Sequence, residues 1–345
     1  MRLALAQLNP LVGDLAGNGE LILAASRQAA AQGADLVLTP ELSLWGYPPR
    51  DLLLRPSLIR EQGAVLNQLA ASLAQELPQL AVLVGMAEPS GAAPLPNLFN
   101  AVALVEAGSW RVVARKRLLP TYDVFDEQRY FCAATGPSVL ELERGGRTWR
   151  LGLTICEDLW VEEELQGHRL AGADPVAELL SSRIDLLLNL SASPFGQAKV
   201  ALRQSLARRA ASRLACPVVY VNQVGGNDEL VFDGASFVVA ASGAVVSQLA
   251  SCKEQVSCWE VNGTAPAAPL PVAPLPTENE QLFRALVLGV ADYARKCGFN
   301  SALLGLSGGI DSALVAVIAA AALGGERVQA LMTVSYTHLR AHETG

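Results

Sequence analysis

Short apolar segments alternate with helix-forming segments along most of the chain, and this alternation is the strongest constraint on the fold. Apolar segments occur at Leu3–Leu8, Asp35–Thr39 and Ala81–Met86, whereas Glu20–Ala31 and Leu58–Glu76 have helical spacing. Strands that alternate with helices are typical of α/β proteins. Of the 345 residues, 51% are hydrophobic and 17% are charged, which is sufficient for a large core and unlike a disordered chain.

The segments that follow include a predicted hairpin as well as predicted strands that are separated by helices. Phe99–Glu106 and Trp110–Arg115 are predicted strands joined across Ala107-Gly108-Ser109, a short turn. The remaining predicted strands are Trp149–Ile155, Asp185–Leu190, Val218–Asn222, Ala235–Ala240, Val245–Gln248 and Gln255–Glu260, and the remaining predicted helices are Val176–Ser182 and Lys199–Leu214. So many strands fit two mixed sheets stacked face to face with helices outside. The pattern alone does not favour this arrangement over one doubly wound sheet.

A Pro- and Ala-rich segment at 262–276 has no period and is typical of a linker. We therefore predict a first domain over residues 1–261. The alternation then restarts over residues 277–334, where the sequence predicts one βαβ unit with a leading helix, which is incomplete as a domain. These elements are helix Glu278–Cys297, strand Ala302–Leu306, helix Asp311–Leu323 and strand Val328–Met332.

The last segment, residues 335–345, has no apolar period and no family resemblance. It is similar to a translated adaptor, so we expect a non-native tail that is disordered or poorly packed.

Charge and composition exclude several kinds of partner. The net charge is −7 and no stretch is dense in Lys and Arg, which argues against a nucleic acid or an anionic membrane as partner. The apolar start is too short for a signal-peptide core, and the longest apolar run, Ala313–Leu323, is shorter than the roughly 20 residues that span a bilayer. We expect a cytoplasmic protein.

The six cysteines include no Cys-x-x-Cys pair, so the sequence indicates neither a zinc site nor a thioredoxin-like centre. In a reducing compartment most of them should be packed free thiols. Two of the three histidines lie in the last few residues, so a Cys-His or Ser-His catalyst would have to use His168.

Three predicted strands end close to a reactive side chain: Glu41, Lys116 and Cys156. Ligand sites gather at strand C-termini, so the three groups converge if their strands are neighbours. A carboxylate can accept the thiol proton, and an ammonium can stabilise a thiolate and then an oxyanion, with the backbone N–H of Glu157 as a second donor. A cysteine at a strand end is usually a packed thiol, and a glutamate or lysine there is usually a solvated charge. The positions of the three residues after strands therefore favour catalysis only modestly.

The segments around these residues resemble the nitrilase superfamily, whose members cleave carbon–nitrogen bonds with a Glu-Lys-Cys triad. Four of them are similar to the glutaminase domain of glutamine-dependent NAD⁺ synthetases: Pro40–Leu53, Lys116–Phe131, Cys156–Trp160 and Asn189–Phe195. This resemblance covers residues 1 to about 260. It implies a nitrilase-like α-β-β-α sandwich followed by the first βαβ unit of a doubly wound domain of the adenine nucleotide α-hydrolase type.

The resemblance also implies roles for individual residues. Glu41 would be the general base, Lys116 the oxyanion stabiliser and Cys156 the nucleophile. Glu127 matches a second glutamate that positions the lysine and the substrate amide. The implied reaction is thiolate attack on the glutamine side-chain amide, loss of ammonia, and hydrolysis of a γ-glutamyl thioester by water activated by Glu41.

Three further residues fall where this family contacts glutamine. They are Tyr122, Ser193 and Lys199. Hydroxyl groups suit the α-ammonium or the amide of an amino acid, and a cation suits its carboxylate. A lysine that opens a helix is usually only a solvated charge, so Lys199 has the weakest signal of the three.

A second motif joins the strand Ala302–Leu306 to the helix Asp311–Leu323. Its residues are Ser307, Gly308, Gly309, Ile310, Asp311 and Ser312. Adjacent glycines allow backbone N–H groups to face a phosphate, and the helix N-terminus adds partial positive charge. Asp311 can help to hold Mg²⁺ between phosphates. The alternative is an ordinary Gly-rich turn with a helix cap, and the Gly-Lys-Ser/Thr ending of a Walker loop is absent.

This loop resembles the pyrophosphate loop of ATP pyrophosphatases. In NAD⁺ synthetases that domain uses ATP to adenylate deamido-NAD⁺, and ammonia from the glutaminase domain displaces AMP. The resemblance implies L-glutamine, ATP with Mg²⁺, and deamido-NAD⁺ as ligands, and a homo-oligomer; glutamine hydrolysis itself needs no cofactor. Because only residues 277–334 resemble the synthetase domain, we expect this polypeptide to hydrolyse glutamine at most.

Two other functions stay open at this level. One is a stand-alone nitrilase-type amidase whose C-terminal Gly-rich turn is accidental. The other is a non-catalytic binding or assembly module that contains the three residues without using them.

Overall fold

The computed structural model of the chain describes residues 1–91, 97–167, 170, 172–261 and 272–332. Within this part, no helix is both long and apolar enough to cross a membrane. Several features predicted from the sequence lie outside the described residues: His168, most of the linker at 262–276, and the tail at 335–345.

The chain divides into two compact units. The first comprises Met1–Gly225 and Phe232–Pro276, and the second comprises Gly226–Val231 and Thr277–Gly345. The short segment Gly226–Val231, which the sequence groups with the first domain, therefore belongs by its contacts to the second unit.

The first unit contains two six-stranded sheets. One is built from β1 (Arg2–Gln7), β2 (Leu36–Leu38), β3 (Ala81–Pro89), β4 (Leu98–Glu106), β5 (Ser109–Arg115) and β14 (Gln255–Glu260). Its order is β14-β1-β2-β3-β4-β5. The three strands β1, β2 and β3 are parallel, and the other pairings are antiparallel.

The other sheet is built from β6 (Ser138–Arg144), β7 (Arg147–Ile155), β8 (Leu186–Ser191), β9 (Val218–Asn222), β12 (Phe237–Val239) and β13 (Val245–Gln248). Its order is β13-β12-β9-β8-β7-β6, and β7, β8 and β9 are parallel. Both sheets are therefore mixed, as expected from a sequence in which predicted hairpins occur among strands that are separated by helices.

Helices cover the outer faces of both sheets. The helices of this unit are α1 (Leu15–Ala31), α2 (Pro56–Glu76), α3 (Glu163–Gln166), α4 (Pro175–Glu178) and α5 (Lys199–Leu214), with 3₁₀ turns at Arg50–Leu54, Glu127–Arg129, Cys156–Leu159 and Leu179–Ser182. α1 and α2 pack on the first sheet, whereas α5 packs on β9 and β12.

One apolar core fills the space between the two sheets. It contains Leu5 and Leu104 from the first sheet and Leu151, Leu188 and Val221 from the second. This core confirms the predicted α-β-β-α sandwich and excludes the single doubly wound sheet.

Local sequence signals account for several boundaries. α1 begins at Leu15, earlier than the predicted Glu20, because the Asp14 carboxylate accepts a hydrogen bond from the N–H of Gly17 at 2.9 Å and caps the helix. Pro56 opens α2, a position where its missing N–H costs nothing. The prediction missed β6, although Gly145 and Gly146 after it both have positive φ and form the turn into β7.

The remaining elements are β10 (Val224–Asn227), β11 (Leu230–Asp233), α6 (Glu278–Cys297), β15 (Ala302–Leu306), α7 (Ile310–Leu323), a 3₁₀ turn at Gly325–Arg327 and β16 (Val328–Met332). β15 and β16 pair in parallel, so the predicted βαβ unit is present. In this described part of the second unit, Leu303 and Leu331 are 65% and 61% exposed. Apolar side chains on a parallel sheet are normally covered on both faces.

Gly85 in β3 gives a direct test of how the fold holds the segment that follows β2. A Cβ at Gly85 would lie 2.3 Å from the Leu42 nitrogen and 2.5 Å from the Pro40 oxygen. Because these neighbours are backbone atoms, Gly85→Ala should displace the segment and lower the free energy of unfolding by about 1–3 kcal/mol in urea titrations. Gly63→Ala in α2, where a Cβ meets nothing within 4 Å, should instead raise it by roughly 0.5–1 kcal/mol. Equal effects of the two substitutions would contradict this account.

Candidate active site

Glu41 lies in a tight turn after β2 that is fixed by hydrogen bonds to β3. The hydroxyls of Thr39 and Ser43 lie 2.7 Å apart, and the Gly85 N–H donates to the Ser43 hydroxyl at 3.1 Å. Gly85 also accepts from the Leu44 N–H at 3.1 Å. The turn thus fixes the direction of the Glu41 side chain, which is almost fully buried.

Lys116 directly follows β5, and its ammonium joins two buried carboxylates. Its backbone N–H donates to the Asn100 carbonyl at 2.8 Å, which continues the pairing of β4 with β5. Its Nζ donates to Oε1 of Glu41 at 2.7 Å and to Oε1 of Glu127 at 2.8 Å. Lys116 and Glu41 are each 1% exposed and Glu127 is 4% exposed. We call these three residues and Cys156 the charged pocket.

Two other donors hold the Glu41 carboxylate. The Asn100 amide donates to Oε1 at 2.7 Å, and the backbone N–H of Ala192 donates to Oε2 at 3.0 Å. Both carboxylate oxygens are therefore engaged, one from β4 and one from the residue that follows β8, which orients the group.

Cys156 is placed by a strained turn at the end of β7. Its φ is +47°, a left-handed conformation that is unusual for a residue with a side chain and that occurs often at functional sites. Asp158, two residues later, accepts from the N–H of Ile155 at 3.1 Å, of Arg117 at 3.0 Å and of Leu118 at 2.8 Å. This carboxylate ties the residues after Lys116 to the turn that contains Cys156.

The strands that end near Glu41, Lys116 and Cys156 are not neighbours. β2 and β5 are separated by β3 and β4, and β7 belongs to the other sheet. The condition that the strands adjoin is therefore not met, but Glu41 and Lys116 still meet, with 2.7 Å between Oε1 and Nζ.

The pKa values show that these charges act on one another. Burial raises the pKa of the Cys156 thiol well above its usual value, the Glu41 charge raises it further, and the Lys116 ammonium opposes both. Burial alone would lower the pKa of Lys116, but the charges of Glu127 and Glu41 outweigh it and hold that pKa well above normal. The resting pocket therefore combines a neutral thiol with a permanently charged lysine.

Glu127 is also held by Tyr47, whose hydroxyl donates to Oε1 at 2.7 Å. Burial raises the pKa of Glu127, while the Lys116 ammonium lowers it. Oε2 of Glu127 is buried and has no hydrogen-bond partner among the described residues. One oxygen thus holds the lysine, and the other remains an available acceptor.

The three residues predicted to contact glutamine lie in the same unit. Tyr122 donates to both carboxylate oxygens of Glu157 at 3.1 Å, and burial raises its pKa. The Ser193 hydroxyl accepts from Arg203 at 3.1 Å. Lys199 opens α5 with its Nζ 5.5 Å from the centroid of the Trp160 ring, and burial, together with the charge of Arg203, lowers its pKa.

The predicted phosphate loop lies in the second unit, between β15 and α7. Gly308 has φ of +82°, and a Cβ there would meet nothing within 4 Å. The Ser312 hydroxyl accepts from the Ser307 N–H at 3.4 Å and donates to the Gly309 carbonyl at 2.9 Å. Ser307, Gly309, Ile310 and Asp311 are exposed at the helix N-terminus. This open, glycine-lined turn fits a phosphate group.

Several residues of the pocket were missed by sequence reasoning. Asn100 gave one weak signal, a lone amide inside an apolar strand, and Asp158 gave none beyond its place in the Cys156 segment. Arg203 lies in the helix Lys199–Leu214 and was not singled out from the other basic residues there, yet it is 1% exposed and pairs with Asp233 at 2.9 Å. Its guanidinium also donates to the carbonyls of Ser193 and Pro194, which fixes the segment next to Ala192.

Among the described residues, no group of His, Cys, Asp and Glu side chains is arranged to hold a metal ion.

Family comparisons agree with this architecture. Residues 2–268 match the carbon-nitrogen hydrolase family, and residues 282–343 match the NAD synthase family. The chain belongs to the carbon-nitrogen hydrolase family and carries an NAD synthase region after it. The second match overlaps 335–345, where the sequence predicted no family resemblance; that segment lies outside the described residues.

Individual relatives resemble the chain over nearly its whole length. The glutamine-dependent NAD(+) synthetase of Synechocystis sp. is 45% identical, covering 96% of this chain and 59% of the relative. That of Thermotoga maritima is 39% identical, covering 98% and 61%. The structure of glutamine-dependent NAD⁺ synthetase from Acinetobacter baumannii in complex with ADP has a TM-score of 0.85 at 35% identity, covering 97% of this chain and 60% of that one. This chain thus spans about 60% of the length of these relatives.

A shorter protein shares the first unit's fold. The structure of an amidase from Nesterenkonia sp. has a TM-score of 0.60 at 25% identity, covering 75% of this chain and 89% of that one.

The Asp158 carboxyl predicts a pH dependence of stability. Burial raises the pKa of Asp158 from 3.8 to about 6, although its backbone donors oppose the shift. The folded protein therefore binds this proton more tightly than the unfolded chain does, and this contribution to stability is lost as pH rises from about 4 to about 6. At about 1.4 kcal/mol per pKa unit, the contribution is roughly 3 kcal/mol.

Asp158→Asn has no carboxyl group to titrate at this position. Its free energy of unfolding should therefore lack this pH-dependent contribution. Urea unfolding of both proteins between pH 4 and pH 7 measures the difference. A wild-type-minus-variant difference that stays constant across this range would show that the carboxyl does not titrate as described.

Proposed function

We propose that the first unit hydrolyses the side-chain amide of L-glutamine to glutamate and ammonia through a thioester on Cys156. The observation that carries this proposal is the buried contact of Lys116 with Glu41 and Glu127 beside the thiol. Buried charges are costly unless they are paired, and an apolar core of this size does not need them for stability. Groups of this kind with shifted pKa values gather at catalytic sites.

In the first half of the reaction, the sulfur of Cys156 attacks the amide carbon. Because burial keeps the thiol neutral at rest, its proton passes to the Glu41 carboxylate as the carbon–sulfur bond forms. The Lys116 ammonium stabilises the negative oxygen of the tetrahedral intermediate. Glu41 then gives the proton to the leaving nitrogen, so that ammonia departs and a γ-glutamyl thioester remains.

The second half regenerates the thiol. Glu41 accepts a proton from water as the water oxygen attacks the thioester carbon, and Lys116 again stabilises the oxyanion. Collapse breaks the carbon–sulfur bond, and the proton returns from Glu41 to the Cys156 sulfur. Glu127 keeps Lys116 in place through both steps and offers its second oxygen to the substrate amide.

Charged groups around the pocket suit an amino acid rather than a simple amide. The buried Glu157 carboxylate, held by Tyr122, suits the α-ammonium of glutamine. Lys199 suits the α-carboxylate, and Arg203 fixes Ser193 nearby. A stand-alone amidase for aliphatic amides would have no use for opposite charges at this place.

For the whole protein, we propose NAD⁺ synthesis, in which the ammonia amidates deamido-NAD⁺ activated by ATP. The names of the relatives, the NAD synthase match and the glycine-lined turn at Ser307–Ser312 support this proposal. The turn would hold ATP phosphates on backbone N–H groups, with Asp311 directed to Mg²⁺. The protein would work in the cytoplasm as a homo-oligomer.

Cys156→Ala tests the nucleophile. We expect it to lower glutamine turnover by at least about a thousandfold, because no other group can form the thioester. Glutamate release measures the rate, and thermal unfolding should show a folded variant. Cys216→Ala removes another buried thiol and should keep full turnover. Wild-type turnover in Cys156→Ala would mean that the nucleophile is misassigned.

Covalent labelling separates the proposal from its alternatives. A glutamine analogue with a diazoketone group should alkylate Cys156 in the wild type, and the adduct should be lost in Glu41→Gln, as measured by mass spectrometry. The absence of an adduct on folded wild-type protein would favour a non-catalytic module. Turnover of acetamide but not of glutamine would favour a simple amidase.

The second unit gives a separate expectation. Its sheet exposes Leu303, Leu331 and Met332 in the described part, so we propose that this polypeptide by itself does not form the complete ATP and deamido-NAD⁺ site. Supplied with ATP, Mg²⁺, deamido-NAD⁺ and ammonia, it should release glutamate from glutamine without making NAD⁺. NAD⁺ detected by chromatography would overturn this expectation.

A further inference from the structure

We propose that Asn100 is a positioning residue that holds the Glu41 base aimed at Cys156. The proposal rests on the glutamine hydrolysis proposed above. Asn100 lies on β4 and is 1% exposed. Its side-chain amide nitrogen donates to Oε1 of Glu41 at 2.7 Å, and its backbone carbonyl accepts from the Lys116 N–H at 2.8 Å. One residue thus contacts both the base and the backbone of the lysine.

The chemistry of the amide fixes its orientation. A flipped amide would point its oxygen at the Glu41 carboxylate, where two acceptors would repel each other. With the nitrogen toward Glu41, the Asn100 amide donates to Oε1, and such a donor interacts more strongly with a carboxylate than with a neutral acid. A base that must accept a proton from Cys156 has to be ionised beforehand.

The oxygen of the Asn100 side-chain amide lowers the stability of the fold. Oδ1 of Asn100 is buried and has no hydrogen-bond partner among the described residues. A buried polar atom without a partner is destabilising by about 1–3 kcal/mol. The amide is therefore better explained by its contact with Glu41 than by a contribution to stability.

Asn18 shows the opposite pattern and serves as the matched control. It is also a buried asparagine, but its amide oxygen accepts from the Leu11 N–H, and its nitrogen donates to the carbonyls of Leu11 and Leu44. All of its polar atoms are used for structure, at distances of 2.8–3.0 Å.

The groups that act on Glu41 from other elements are also charged or titratable. They are Lys116 after β5, Glu127 in its 3₁₀ turn, Cys156 after β7 and Tyr47 in the segment after β2. None of them changes in Asn100→Leu, so a shift of the pH profile in that variant reports the lost donor.

The test compares Asn100→Leu, Asn100→Asp and Asn18→Leu with the wild type. For Asn100→Leu we expect kcat for glutamine to fall about ten- to a hundredfold, the effect of removing one hydrogen bond to a charged group. KM should stay within about twofold, since no part of the substrate is touched. The acid limb of the kcat profile should move to higher pH. The melting temperature should change little, because removal of the unpaired Oδ1 offsets the lost bond to Glu41, whose Oε1 still accepts from Lys116.

The two other variants sharpen the comparison. Asn18→Leu should lower the melting temperature and leave the pH profile unchanged. Asn100→Asp keeps the shape but places a second carboxylate against Glu41, so its acid limb should move further than that of Asn100→Leu. If Asn100→Leu does not fold, Asn100→Ala, which also removes the donor without adding a charge, takes its place.

Wild-type kcat and an unmoved acid limb in a folded Asn100 variant would overturn the inference. A raised KM with unchanged kcat would also overturn it, because that result would make Asn100 a substrate contact. A wild-type protein without glutaminase activity would instead refute the proposed function on which the inference rests.

Discussion

The buried ammonium of Lys116 between two carboxylates is the interaction on which the site depends. It lies 2.7 Å from Glu41 and 2.8 Å from Glu127, with all three side chains almost fully out of water. Removing one partner of a buried ion pair costs roughly 3–5 kcal/mol, because the remaining charge stays unpaired. Here the loss of the lysine would leave two carboxylates facing each other. Both the stability of the fold and the catalytic chemistry therefore depend on the Lys116 ammonium.

The backbone around this contact is arranged to keep it in place. Gly85 allows the Glu41 turn to pack directly on β3, and Asp158 joins the residues after Lys116 to the strained turn of Cys156. Arg203 fixes the segment from which the Ala192 N–H reaches Glu41. Main-chain contacts of this kind restrict the side chains more tightly than exposed ion pairs do, since a catalytic geometry tolerates little displacement.

Most of the fold could be predicted from sequence, because its strands are apolar and its helices are periodic. Lys199–Leu214 and Glu278–Cys297 have the predicted bounds, and the missed strand β6 had a detectable Gly-Gly turn after it. The site was harder to predict. Glu41, Lys116 and Cys156 stand out as reactive residues after strands, but Asn100 and Asp158 act through contacts between residues distant in sequence. No local pattern distinguishes a donor to Glu41 from an isolated amide in a strand.

The most direct test of the account is to trap the covalent intermediate. Protein that is turning over glutamine can be quenched in acid, digested and analysed by mass spectrometry. We predict a glutamyl group attached to Cys156, and we expect it to disappear once glutamine is exhausted. Steady-state glutamate release with Cys156 unmodified, or with the glutamyl group on another residue, would contradict the mechanism.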